Sequence, residues 1–281
     1  MYEEFYERIP DADAYLERLD ITSSFGLRPD VETLSELVRR HAVSIAYENL
    51  DIFCSRSLDN GNRPVSLAIR DLYKKIIIRG RGGYCFELNG LFYAFLKELR
   101  FPVTPAYCKV IEGAGPNYPA FHRATIAWFA DGPYYCDVGF GGPMPAGAMK
   151  LENNALQIFA DEEYVFYRRN HNWWELVRFD ESGRRVPVVY VNTEPYDPVD
   201  FGTLSYYCSS VQPTDMTRFR DNLLLNIRLD DGYASLTNRT FTLRRGPDKT
   251  VETNLSDARI LGLARGIFGI RDLPDGIRFF E

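Results

Sequence analysis

The stretch "RGRGGYCFELNGLFYAFLKELRFP", residues 79–102, decides how this chain is read. Its opening is glycine and arginine. From Cys85 the pattern changes: Phe86, Leu88, Leu91, Phe92, Phe95, Leu96 and Leu99 cover one broad face, and Pro102 lies just beyond the end. Apolar residues at three- and four-residue steps, closed by a proline, predict a helix that begins at about Cys85. The glycines before it permit positive φ and close backbone approach, so the chain can turn tightly and present the thiol at the first helical turn. A helix N-terminus carries unpaired N–H groups and roughly half a positive charge, which favours the thiolate, the reactive form of cysteine. Arg79 and Arg81 are expected to add positive potential. A free cysteine is ordinarily a small buried hydrophobe. Cys54, Cys108, Cys136 and Cys208 are assigned to that role, and Cys85 is set apart by its context.

Upstream, Asp30 is expected to cap a helix carrying Leu34, Leu37 and Val38, and Ser66 another carrying Ile69, Leu72, Tyr73 and Ile76 that Gly80, Gly82 and Gly83 stop. Downstream the texture changes. "VTPAYCKVIE", "RATIAWFA" and "PYYCDVGF" are short, rich in β-branched and aromatic residues and separated by "GAGPN" and "ADGP", so they read as strands. "QIFA", "EYVFYRR", "WWELVRF" and "VPVVYVN" follow at a spacing that suits a meander or barrel. After the connection "NTEPYDPVDFG" come the strands "NLLLNIRL" and "RTFTLRR", with "DDGYASLTN" read as the separator, and a terminal helix near "SDARILGLARGIF". Helices first, strands in the middle and a mixed end predict an α+β fold, divided at 1–100, 101–197 and 198–281.

Composition narrows the function. The 281 residues are 45% hydrophobic and 26% charged, which suits a globular chain and excludes disorder. A net charge of -6 disfavours nucleic acid and acidic membrane surfaces as partners. The acidic N-terminus lacks the plan of a signal peptide, and no apolar run is long enough to span a bilayer, so a cytoplasmic protein is expected. Five scattered cysteines without a C-x-x-C argue against a disulfide framework and against a zinc site.

A nucleophilic cysteine works with a base, and the base with a group that orients it. Only His41, His122 and His171 are available. His41 follows Arg39 and Arg40 at a helix end, where a histidine completes the helix dipole. His171 falls in the polar turn "RRNHNWWE" and is expected to be solvated. His122 opens the strand "HRATIAWFA", and Asp137 is placed on the next strand, before "VGFGG". Counting back from a turn at Asp131-Gly132 sets Asp137 opposite a residue near 126, so contact with His122 requires a bulge, a stagger or a different strand partner.

These residues resemble those of the arylamine N-acetyltransferases. The likeness rests on "RGGYCFELNG" at 81–90, the His122 strand, "DVGFGG" at 137–142 and "IAYENLDI" at 45–52. It implies a helical bundle bearing the cysteine, an antiparallel β-barrel bearing the other two residues and a mixed α/β lid, a cysteine-protease-like core. It also implies a ping-pong reaction in which Cys85 takes the acetyl group of acetyl-coenzyme A, His122 shuttles the proton and Asp137 orients the imidazole, with no metal. The acceptor would be an aromatic amine or hydrazine, and the role xenobiotic metabolism. Tyr47, Val110 and Phe140 match positions that line the pocket; Tyr47 and Phe140 are assigned to the acceptor, and Gly141 with Val110 to the coenzyme. The chain departs from the pattern at Ala46, where a proline is usual, and in "DFGTLSYYCSSVQPTDMTRFRDN", where Ser205 stands about where an asparagine belongs and the spacing to Phe219 is lengthened. That departure keeps open an amide synthase acting on a carrier-bound acyl chain, and the trio itself keeps open a papain- or transglutaminase-like hydrolase that uses the same chemistry. A non-catalytic relative is the remaining alternative.

Overall fold

A computed structural model describes residues 2–22, 26–54, 64–142, 144–159, 162–210, 218–273 and 277–280. Its first part is helical. α1 (Ala12–Arg18) is capped by Asp11, and α2 (Val31–Ser44) by Asp30, whose carboxylate accepts from the Thr33 N–H at 2.8 Å. Then come a two-residue β1 (Tyr47–Glu48), α3 (Leu50–Phe53) and α4 (Ile69–Tyr73). Ser66 does not cap α4: it donates to Asp71 Oδ2 at 2.6 Å, and Ala68 is the flanking residue. α4 runs on into a wide π turn, Lys74–Ile78, which carries Lys75 inward. α5 (Cys85–Glu98) begins at the cysteine, as the apolar spacing requires. Phe86, Leu88, Leu91, Phe92, Phe95 and Leu96 are all wholly buried, each worth about 1.5–3 kcal/mol, so this helix is the axis of the first core.

The strands that follow form one antiparallel sheet: β2 (Val103–Val110), β3 (His122–Phe129), β4 (Gly132–Cys136), β5 (Met149–Lys150), β6 (Leu156–Phe159), β7 (Glu162–Arg168), β8 (Trp173–Phe179) and β9 (Arg185–Asn192). Their order, β5-β4-β3-β2-β9-β8-β7-β6, puts β5 and β6 at the two edges. The Gln157 side chain joins those edges, accepting from the Lys150 N–H and donating to its carbonyl, both at 2.9 Å. The sheet therefore curls into a nearly closed barrel around Ala124, Ile126, Tyr135, Phe166, Leu176 and Val189.

The remainder comprises α6 (Asp200–Ser210), α7 (Arg218–Asp221), β10 (Leu224–Leu229), β11 (Gly232–Thr237), β12 (Thr240–Arg245), β13 (Asp248–Glu252) and α8 (Asp257–Gly266). These strands add to β1 in the order β1-β10-β11-β12-β13, so Tyr47 pairs with Asn226 far along the chain. The stretch read as a separator contains β11, paired with β10 through Leu229↔Gly232, and β13 is a further strand. The fold is α+β. No described helix is long and apolar enough to cross a membrane.

Candidate active site

Three elements supply the site. Cys85 is the first residue of α5, His122 the first of β3, and Asp137 follows β4 directly. Asp137 is thus not on the strand but one step beyond it. The register Thr125↔Cys136 continues to place it opposite Ala124, two residues from the counted position, because the hairpin closes between Phe129 and Gly132. His122 lies diagonally across on the same face, within reach of a cross-strand pair. No bulge is needed, and the His122 Nε2–H donates to Asp137 Oδ2 at 2.5 Å.

The direction of that bond follows from the carboxylate. Burial alone would raise the Asp137 pKa, but His122 and hydrogen bonds from Asn89 and Tyr135 outweigh it and hold the group below its ordinary range. An ionised carboxylate only accepts, so Nε2 carries the proton and Nδ1 is left as the acceptor. Asn89 ties this pair to the nucleophile's helix. It donates to Asp137 Oδ1 at 2.8 Å and to the Arg123 carbonyl at 2.6 Å, and accepts from the Val138 N–H at 3.0 Å. The closeness depends on Gly139, where a Cβ would stand 3.0 Å from Cys85 Cα and 2.9 Å from Asn89 Nδ2. Asn89 sits inside the "CFELNG" stretch and carried a signal that was not used: four residues after Cys85, it shares the helix face of the thiol.

Cys85 is 3% exposed rather than open to solvent, and its Sγ lies 3.9 Å from the Phe121 carbonyl oxygen. Burial pushes the thiol pKa well up, Cys208 and Asp137 add to the rise, and the Phe86 N–H opposes it. Burial thus opposes the half-charge of the helix terminus at this thiol. The arginines do not help as expected. Arg81 is buried against Glu48 at 2.7 Å and Asp51 at 2.8 Å, and Arg79 pairs with Asp272 at the surface. His41 is likewise no dipole partner: burial lowers its pKa to about 3, so it is neutral between α1 and α5. His171 is exposed beside Asn172.

Cys85, His122 and Asp137 line one cleft of about 720 Å³, and so do Tyr47, Val110, Phe140 and Gly141. Gly141, at φ +76°, lies flat on the Tyr47 ring, and a Cβ there would be 2.9 Å from it. The Phe140 ring stands edge-on to the imidazole, 5.6 Å between centroids. Reasoning from sequence missed the aromatic Tyr118 and Phe121, and also the far wall, where Tyr233, Ser235 and Thr237 of β11 face the cleft. Their period of two was the available signal. Ser205 is not among the lining residues; it is buried against the Tyr84 hydroxyl, while Phe219 does reach the cleft. Residues 211–217 of the divergent segment lie outside the described residues.

Fold and site define an α+β protein in which a helix-borne cysteine, a strand-borne histidine and the aspartate just past the next strand line one cleft with aromatic walls. The sequence model of the N-acetyltransferase family matches residues 30–272, and the chain belongs to the arylamine N-acetyltransferase family. It is 31% identical to the arylamine N-acetyltransferase of Mycolicibacterium smegmatis over 94% of this chain and 93% of that one. Among solved structures it is similar to arylamine N-acetyltransferase from Salmonella typhimurium, with a TM-score of 0.84 and 26% identity over 97% and 96% of the chains. It is also similar to the Mycobacterium marinum enzyme in complex with CoA, with a TM-score of 0.82 and 28% identity over 93% of each.

Proposed function

We propose that the chain moves an acetyl group from acetyl-coenzyme A to the nitrogen of an arylamine or arylhydrazine in two half-reactions, through an acetyl group held on Cys85. The observation that carries this reading is the His122–Asp137 pair, made in the same cleft that Cys85 lines. In the first half-reaction Cys85 Sγ attacks the thioester carbonyl while His122 Nδ1 takes the thiol proton. The tetrahedral adduct collapses, the coenzyme thiolate leaves and collects that proton, and Cys85 carries the acetyl group. In the second, the neutral amine attacks the new thioester, His122 takes a proton from nitrogen, and Cys85 leaves and is reprotonated. Asp137 stays ionised throughout and stabilises the imidazolium formed twice per cycle.

Burial supports the choice of substrates. A buried thiol is a poor spontaneous nucleophile, yet a thioester has a good leaving group and needs only the base beside it. Arylamines are weak bases and arrive uncharged, which suits a cleft with aromatic walls from Tyr47, Tyr118, Phe121, Phe140 and Phe219. Gly141 and Val110 are assigned to the coenzyme side and Tyr47 and Phe140 to the acceptor side. The test is intact-mass spectrometry with acetyl-coenzyme A. One acetyl group is expected, mapping to Cys85, lost on adding an aromatic hydrazine and absent in Cys85→Ser. A folded Cys85→Ser variant that still transfers acetyl, or a parent protein that never acquires the adduct, overturns the reading.

A further inference from the structure

Asp137 is held at both oxygens. Oδ1 accepts from Asn89 Nδ2 at 2.8 Å and from the Gly139 N–H at 2.9 Å. Oδ2 accepts twice, from His122 Nε2 at 2.5 Å and from the Tyr135 hydroxyl at 2.7 Å. Tyr135 stands two residues before Asp137, so both side chains lie on the face of the chain that lines the barrel interior. The Tyr135 ring is 1% exposed and packs edge-on to Phe166 at 5.7 Å. A phenylalanine would satisfy that packing. The hydroxyl adds a second donor on the very oxygen that the imidazole uses.

Two donors on one carboxylate oxygen divide its charge, because each favours the ionised form and so weakens the pull on the other proton. We propose that Tyr135 is a positioning residue of this site: its hydroxyl fixes Asp137 Oδ2 against His122 Nε2 and sets how firmly the imidazole holds a proton. The inference rests on the catalytic reading of His122 and Asp137 above. The phenol remains a donor at neutral pH, since burial and the neighbouring Asp137 push its pKa well above the ordinary value. Among the described residues, Cys108 faces His122 on β2, and Cys85, Glu112, Tyr118, Arg178 and Arg228 line the same cleft as the imidazole. With the hydroxyl present, the pull of Oδ2 on the imidazole proton is shared between two donors. Without it, the full charge of Oδ2 falls on the imidazolium, which should keep its proton to higher pH.

The experiment titrates the His122 imidazole by NMR in Cys85→Ala protein, which removes the thiol as a coupled group, with the signal identified by its loss in His122→Gln. Tyr135→Phe is expected to raise the midpoint by about half to one pH unit, the share of a charge-assisted hydrogen bond returned to the imidazolium. 3-Fluorotyrosine placed at position 135 alone keeps the shape but donates more strongly, and is expected to lower the midpoint. It decides the matter even if the phenylalanine variant fails to fold. A midpoint that stays fixed, or a fluorotyrosine shift in the upward direction, overturns the proposal and leaves Tyr135 a packing residue. The titration uses neither donor nor acceptor, so a failed acetyl adduct would count against the acyl-transfer reading without altering this result.

Discussion

At its first turns α5 touches two largely buried sets of polar and charged groups. On one side Asn89 holds Asp137 and Asp137 holds His122, and the set faces the cleft. On the other, Glu87 accepts from the Tyr84 N–H at 3.1 Å and from Lys75 Nζ at 2.7 Å; Lys75 also pairs with Asp51 at 2.8 Å, and Arg81 joins Asp51 to Glu48. None of these five charged residues lines the cleft. The two sets are built differently. The first leaves one nitrogen, His122 Nδ1, as an acceptor on a residue that lines the cleft. The second closes its donors on its acceptors and fixes the glycine turn that brings the chain into α5. Three carboxylates against two cations leave it one charge over, and the excess shows at Glu87, whose pKa burial and the nearby Asp51 and Glu48 raise to about 7 despite Lys75. Buried charge serves reaction where one partner is left free to exchange a proton, and serves position where none is.

The largest expected effect separates the two sets by function. Asp137→Asn should slow Cys85 acetylation by about 10⁴-fold, because the amide imposes the wrong imidazole tautomer, as in the serine-protease triad. Urea unfolding should be displaced far less than the rate; an unchanged single-turnover rate would remove Asp137 from the chemistry. The complementary change is Lys75→Met, which strands Glu87 and weakens the hold on Asp51. It should cost about 3–5 kcal/mol of stability, read from denaturant midpoints, while the acetylation rate per folded molecule changes little. A large rate loss in a folded Lys75→Met protein would break the division drawn here.

The smallest effect is a pH dependence. Glu87 has a folded-state pKa of about 7 against an ordinary 4.5, so between those values the native state binds more protons than the unfolded chain. Its contribution to stability therefore falls as pH rises through that window. Asp51, depressed by Lys75 and Arg81, works the other way at lower pH and loses its contribution as acid protonates it. Glu87→Gln should gain stability relative to the parent as pH rises from about 5 to 7, measured as paired melting curves. A difference that is flat with pH would show that Glu87 is ionised throughout.

The helix of the cysteine was legible because a 14-residue run with one unbroken apolar face and a proline stop leaves little choice of structure. The hairpin was legible as two strands but not in register, since the turn could be closed at more than one place and a shift of two residues preserves the alternation. β11 was not recognised. Only Ala234 and Leu236 of it enter the core, and the Tyr233, Ser235 and Thr237 side chains that mark the other face look like a loop until a cleft is known to need them. The arginines beside the glycines were read as local positive potential, whereas their partners come from Glu48, Asp51 and Asp272, remote in the chain.

By itself the sequence determined the order of elements and the start of α5 at Cys85, because local periodicity and glycine, proline and cap signals act over a few residues. The tertiary structure alone decided that Asp137 lies past the end of its strand and still reaches His122, that Tyr135 and Asn89 share its carboxylate, and that the Cys85 thiol is buried. Each of these depends on which distant groups surround a given atom, and burial and electrostatic partners are properties of the packed chain.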